Sequence, residues 1–183
     1  MRQRLTCMAL FSAAILAIAL SHVGTVSATT ASGFTPTTLA VSIGLAPFDV
    51  SNRVVLPRVP GSEEEDANVW ISKQKTKGLS DLYVQSNVWA AGGTTGWHSH
   101  PGHSLIIVTA GTITDYESDD PSCSPHVYTA GMSFVDEGGN HAHVIRNETT
   151  DMAQTVAVQL IPTGAMRRIE VPNVPANCPS TLK

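Results

Sequence analysis

Six histidines fall within one 46-residue span: His98, His100, His103, His126, His141 and His143. A neutral imidazole is a good ligand for zinc, iron, copper or nickel. In an extended chain, residues two apart share a face, so His98 and His100 point the same way, and so do His141 and His143. Two such pairs on neighbouring strands of a barrel bring several imidazoles to one point, which is metal-binding chemistry. The other two histidines fit this less well. His103 follows Pro101-Gly102, which can bend the chain and turn it inward as an additional metal or pocket residue, whereas strict alternation from Ser104 points it outward. His126 follows Pro125 in a predicted hairpin region and reads as surface. Ser104 beside His103 does not make a hydrolase pair, because sequence neighbours on a strand face opposite ways. The sequence displays no nucleophile elbow, phosphate loop or paired catalytic carboxylates.

The elements that must hold these histidines are strands. From about Asp81 onward, short β-branched or aliphatic runs alternate with turn residues: Leu82–Val84, Val88-Trp89, Leu105–Thr109, Thr112–Tyr116, Val127-Tyr128, Phe134-Val135, Val144-Ile145 and Thr155–Ile161. Glycines punctuate them, and no convincing capped helical period appears. Evenly spaced short strands with glycine turns predict a β-sandwich or small barrel. Leu39–Leu45 and Val69–Lys73 supply further strands. Alternation points Trp97 away from His98 and into packing, and makes Phe134, Ile106 and Val108 candidates for the barrel interior.

The amino end reads as a Sec-type signal peptide over residues 1–28: Arg2 and Arg4, an uncharged run from Leu5 to Leu20, then Val26-Ser27-Ala28. The run is shorter than the roughly 18 residues of a membrane span. The expected product is secreted or periplasmic, with no membrane contact after cleavage. Removing 28 from 183 residues leaves 155, enough for one domain. Thr29 to Pro36 (29–36) reads as a flexible leader, and 37–183 as a single domain with a C-terminal tail. Loss of two arginines leaves nine basic against fifteen acidic side chains, a net charge of −6 with histidines neutral. That disfavours a nucleic-acid partner, whose backbone needs a basic footprint. Glu63–Asp66 reads as a solvated acidic loop. Cys7 leaves with the signal, so Cys123 and Cys178 remain in an oxidising compartment, where they are expected to form a disulfide.

The histidine segments resemble the cupins. Gly92, five residues, His98-Ser99-His100, Pro101-Gly102 and a final Gly111 are similar to the first cupin signature. Gly131, Gly138-Gly139, His143 and Asn147 are similar to the second. Together they span about Gly92 to Asn147. The resemblance implies an all-β, cupin-type, double-sheet (jelly-roll-like) β-barrel with one metal ion inside, held by the His-x-His pair, a glutamate and the later histidine. His98 and His100 match the pair. The later histidine is His143 if one residue is inserted after Gly131, or His141 if one is deleted; Asn147, four residues beyond His143, favours His143. An inward structural role is expected for Asn147, ahead of its use as a glycan acceptor in Asn147-Glu148-Thr149.

Ser104 stands where the family pattern carries its glutamate. A serine hydroxyl is neutral and hard to deprotonate, so it is a poor ligand for a divalent transition metal. The expected shell is three histidines completed by water, with no carboxylate. The implied cofactor is one divalent transition metal: iron, zinc or manganese. The implied partner is a small-molecule ligand or substrate, and barrels of this family often pair as homodimers. Two functions fit: a dioxygenase-like enzyme acting on a small molecule, or a non-catalytic barrel that binds a small ligand or metal.

Overall fold

The structure is a computed structural model that describes residues 29–57, 68–139 and 141–182. The expected signal peptide (1–28) and the acidic run at 63–66 lie outside the described residues. Twelve strands follow one another in the described residues: β1 (Ser32–Leu45), β2 (Asp49–Val55), β3 (Val69–Lys75), β4 (Ser80–Thr94), β5 (His98–Ser99), β6 (Ser104–Ala110), β7 (Thr112–Glu117), β8 (His126–Thr129), β9 (Ser133–Asp136), β10 (His143–Arg146), β11 (Ala153–Pro162) and β12 (Ile169–Glu170). All pairings are antiparallel. One layer runs β1-β4-β11-β6-β9 and the other β12-β5-β10-β7-β8, and they join where Arg146 pairs with Thr94. β2 and β3 form a separate ribbon.

Alternation explains the layers. Along β6, Ser104, Ile106 and Val108 are buried while Leu105, Ile107 and Thr109 are exposed, the period of a strand with one face on a core. Ile106 and Val108 meet Trp89, Ile113, Phe134 and Ile145 between the layers. Tyr128 stacks on Phe134 with ring centroids 4.5 Å apart. The three apolar residues expected to line the barrel therefore do so.

A second cluster covers the outside of the smaller layer: Trp97, Tyr116, Ala142, Val144 and Leu182. Trp97 points away from His98, as alternation requires, and its indole N–H donates to the Leu182 carbonyl at 2.6 Å. The Cys123–Cys178 disulfide joins the β7–β8 connection to the carboxyl-terminal segment. It closes over the same cluster, since both cysteines pack in it. The expected pairing of these two residues is met.

The flexible leader is corrected. Ser32–Pro36 belong to β1, and Phe34 lies 4.9 Å from Trp89, ring to ring. Thr29 is buried; its hydroxyl accepts the Trp97 amide (2.8 Å) and donates to the Val171 carbonyl (3.1 Å). Gly96 makes this seat possible. Its φ of 65° suits glycine, and a Cβ there would sit 1.9 Å from the Thr29 carbonyl oxygen. Small polar residues look flexible in isolation, but a neighbouring strand edge satisfies their backbone and orders them.

Asp81, near the start of β4, ties three segments together. Its carboxylate accepts the Thr163 hydroxyl at 2.7 Å and the amides of Gly44 (3.0 Å) and Gly164 (3.3 Å). The Thr163 bond first, then the Gly44 amide, hold its pKa below the ordinary value. A depressed carboxylate contributes stability that is present above the unfolded pKa of about 4 and is lost as pH falls through the folded value. Asp81→Asn is therefore expected to melt at a lower temperature than wild type at pH 7, with the gap narrowing toward pH 3. Melting curves across that range check it; a constant gap would contradict it.

Candidate metal centre and its cavity

Antiparallel pairing of β5 with β10 sets His143 directly across from His98. His100 follows β5 by one residue and turns back toward them. The ring centroids lie 4.8 Å apart for His98–His100, 4.5 Å for His98–His143 and 5.7 Å for His100–His143. One nitrogen from each ring falls within 4.8 Å of the others. The loops that carry them are wedged by glycine: a Cβ on Gly138, at φ 68°, would lie 2.3 Å from the Gly102 carbonyl oxygen, and one on Gly102 would lie 2.1 Å from that of Leu160.

Each ring is anchored on its Nδ1 side. His98 Nδ1 pairs with the Gly96 carbonyl at 2.9 Å and His100 Nδ1 with the Arg167 carbonyl at 2.5 Å. His143 Nδ1 faces the Asp115 carboxylate at 3.4 Å. Carbonyls and carboxylates accept, so Nδ1 carries the proton and Nε2 is left with its lone pair, the arrangement that orients metal-ligating histidines. Nε2 of His143 is buried with no hydrogen-bond partner among the described residues. A buried polar atom without a partner is costly, and a cation at the centre of the three rings would satisfy it.

The electrostatics differ between the rings. Burial first, then the other histidines and Arg168, hold the His98 pKa well below its ordinary value. Burial also lowers that of His100, against the opposing pull of Asp136. Both are neutral bases at pH 7. Burial alone would lower the His143 pKa as well, but Asp115 reverses this and holds it above the ordinary value, with Asp136 and Glu117 adding to the effect.

Among the described residues the group within ligand reach of one another is the three histidines alone, as expected of a shell without a carboxylate; a buried aspartate stands beside it. Asp136 is 6% exposed and lies across from Ser104 in the β6–β9 register. Its Oδ2 accepts the Ser104 hydroxyl at 3.2 Å and lies 3.5 Å from His100 Nε2; its Oδ1 accepts the Gly138 amide at 3.0 Å. Ser104 does not replace the missing glutamate. It holds a carboxylate delivered by the neighbouring strand. Asp115, 1% exposed, is a second buried carboxylate beside the histidines. Alternation contained a signal for Asp136, two residues after the inward Phe134 on β9, and an aspartate on a buried face marks a place where burial has been offset for a purpose.

His103 and His141 are not brought to the centre. His103 Nε2 meets the Gln74 side chain at 3.2 Å in an exposed position, outward as alternation from Ser104 requires. His141 is exposed and pairs with Asp119 at 2.7 Å and Glu137 at 3.6 Å. The choice between the two later histidines falls on His143. His126 is exposed. Asn147 is fully buried, and its amide donates to the carbonyls of Ala90 (3.0 Å) and Asp151 (2.6 Å), so it locks the turn after β10.

With both signature segments on facing strands around one centre, and two antiparallel layers closing over it, the architecture is decided. The fold is an all-β, double-layered antiparallel barrel, the architecture that the cupin resemblance implies. No protein-family model matches the chain, and no curated protein matches it. Among solved structures, it is similar to a cupin superfamily protein from Desulfitobacterium hafniense, at 12% identity over 61% of this chain and 78% of that one, TM-score 0.38. It is similar to a conserved protein with a double-stranded β-helix domain from Klebsiella pneumoniae, at 18% identity over 49% and 74%, TM-score 0.42. It is also similar to the polyketide cyclase RemF from Streptomyces resistomycificus, at 14% identity over 49% of this chain and 60% of that one, TM-score 0.42.

The barrel holds a partly open cavity of about 200 Å³ beside the histidines. Phe34, Trp89, Ile106 and Ile145 give it apolar walls; Asn87, Gln159, Arg167 and Arg168 supply polar groups. It is smaller than the roughly 300–1,000 Å³ of pockets for drug-sized ligands, so a compact molecule fits it. The sequence reading had not singled out the two arginines, because neither lies on a strand.

Proposed function

We propose that the protein is an exported cupin that holds one divalent transition metal, iron(II) in its active form, and oxidises a compact small molecule in a dioxygenase-like reaction. His98, His100 and His143 hold the metal and Asp136 supplies the carboxylate. Three anchored imidazoles presenting lone pairs to one buried point carry the reading, and the partnerless His143 Nε2 supports it. Bound iron would supply an open coordination position and one-electron chemistry with oxygen. The chain's own groups do the rest. Asp115 and the Gly96 and Arg167 carbonyls fix the imidazole orientations, and Phe34, Trp89 and Ile106 limit water around the substrate. Export through residues 1–28 is part of the proposal, and a disulfide suits an oxidising compartment.

The non-catalytic alternative rests on a shell without a carboxylate and on the absence of an identifiable general base; buried Asp136, 3.5 Å from His100 Nε2, favours the enzymatic reading over it. Oxygen consumption separates the two. Protein loaded anaerobically with iron(II) is expected to take up oxygen with at least one member of a panel of small phenols, thiols, diketones and carboxylic acids, and His98→Ala is expected to abolish both uptake and bound iron. Stoichiometric iron without uptake on any of them would leave the binding-module reading standing and overturn the enzymatic one.

A further inference from the structure

Two arginines line the cavity, and they differ in one respect. Arg168 has its carboxylate: Nε and Nη2 donate to Glu170 at 2.5 and 2.8 Å, and Nη2 also donates to the Thr95 carbonyl. Arg167 is held by neutral groups alone. Nε donates to Gln159 Oε1 at 3.0 Å, Nη1 to the Thr38 hydroxyl at 3.2 Å and Nη2 to Gln85 Oε1 at 2.6 Å, while the guanidinium lies 4.0 Å over the Tyr83 ring. Among the described residues no aspartate or glutamate forms an ion pair with it.

A guanidinium has five N–H donors in a rigid plane. Three of those on Arg167 are used, which leaves one on each terminal nitrogen. A two-point donor with fixed orientation and an unneutralised charge, at the wall of a cavity, matches a carboxylate, which accepts two parallel N–H bonds. The side chain is only partly exposed and meets no anion among the described residues, so an anion there offsets a cost the chain leaves standing. Arg167 is also coupled to the histidines through its backbone, since its carbonyl anchors His100. One residue thereby sets the distance between the charged end of a ligand and the metal-binding point.

We propose that Arg167 is the carboxylate-recognition residue of this cavity, and that its ligand is a small monocarboxylate or dicarboxylate with an otherwise compact, apolar body. This names the substrate class of the proposed reaction and rests on the cavity being its binding site. The test is calorimetric titration of the mature protein, zinc-loaded and metal-free in separate runs, with acetate, pyruvate, malonate and benzoate, and with the neutral amides of the same acids. At least one carboxylate is expected to bind, with its amide weaker by about tenfold or more, the worth of a charge-assisted pair. Arg167→Met is expected to lose the same factor with its zinc content unchanged, and Arg167→Lys to recover part of it. The comparison of acid with amide needs no variant, so it stands even if Arg167→Met folds poorly. Equal binding of acid and amide, tighter binding of inorganic phosphate than of any carboxylate, or no carboxylate binding at all would overturn the proposal. Arg167-dependent carboxylate binding in protein that takes up no zinc would keep this proposal and refute the metal reading instead.

Discussion

His143→Ala is expected to abolish stoichiometric metal binding, and Asp115→Asn to lower metal affinity by about 10- to 100-fold although Asp115 lies behind the imidazole. The first effect follows from number: two imidazoles and one carboxylate remain, and the partnerless Nε2 is gone. The second follows from orientation. Asp115 faces His143 Nδ1 at 3.4 Å and raises the basicity of the ring. An asparagine in its place presents either a neutral acceptor or a donor, and the donor favours the tautomer with its lone pair turned away from the centre. Competitive titration of zinc against a chromophoric chelator measures both variants. His141→Ala, in the exposed pair with Asp119, is expected to match wild type. Equal losses for His141→Ala and His143→Ala would mean that the later ligand has been assigned to the wrong residue.

The second large effect is on stability. Replacing both Cys123 and Cys178 by serine is expected to cost up to about 4 kcal/mol, the loop-entropy value for a closure of this length. The bridge spans 55 residues of sequence and lies in the cluster where Trp97 donates to Leu182. The carboxyl-terminal segment is held chiefly by that cluster, so the double variant is expected to expose Trp97 as well as melt earlier. Denaturant unfolding gives the first quantity and acrylamide quenching of tryptophan fluorescence the second. An unchanged midpoint in the double-serine variant would show that packing alone holds the segment.

Much of this arrangement was legible in the sequence because it is local. Alternation in Leu105–Thr109 marked a half-buried strand, the His98–His100 spacing gave a same-face pair, and the fall of Trp97 on the other face followed from the same rule. His143 was separable from His141 by its spacing to Asn147, whose burial locks the turn after β10. What was illegible depends on register between distant strands. Nothing near Ser104 announces that Asp136, 32 residues later, lies directly across from it, so the buried carboxylate beside the histidines was not legible from that stretch. Arg167 reaches the cavity from the connection between β11 and β12, where no periodicity applies. The order of residues 29–36 was hidden for a related reason: a Thr- and Ser-rich segment becomes a strand when β4 and Gly96 offer it backbone partners and room.

The central claim is that three histidines and a neighbouring aspartate form one metal site inside the barrel. Native mass spectrometry of the mature protein, after anaerobic incubation with iron(II), zinc or manganese and removal of excess ion, tests it most directly. One ion per chain is expected, retained in His103→Ala and lost in His98→Ala. A metal-free mass under all three conditions, or an ion that survives His98→Ala, would contradict it.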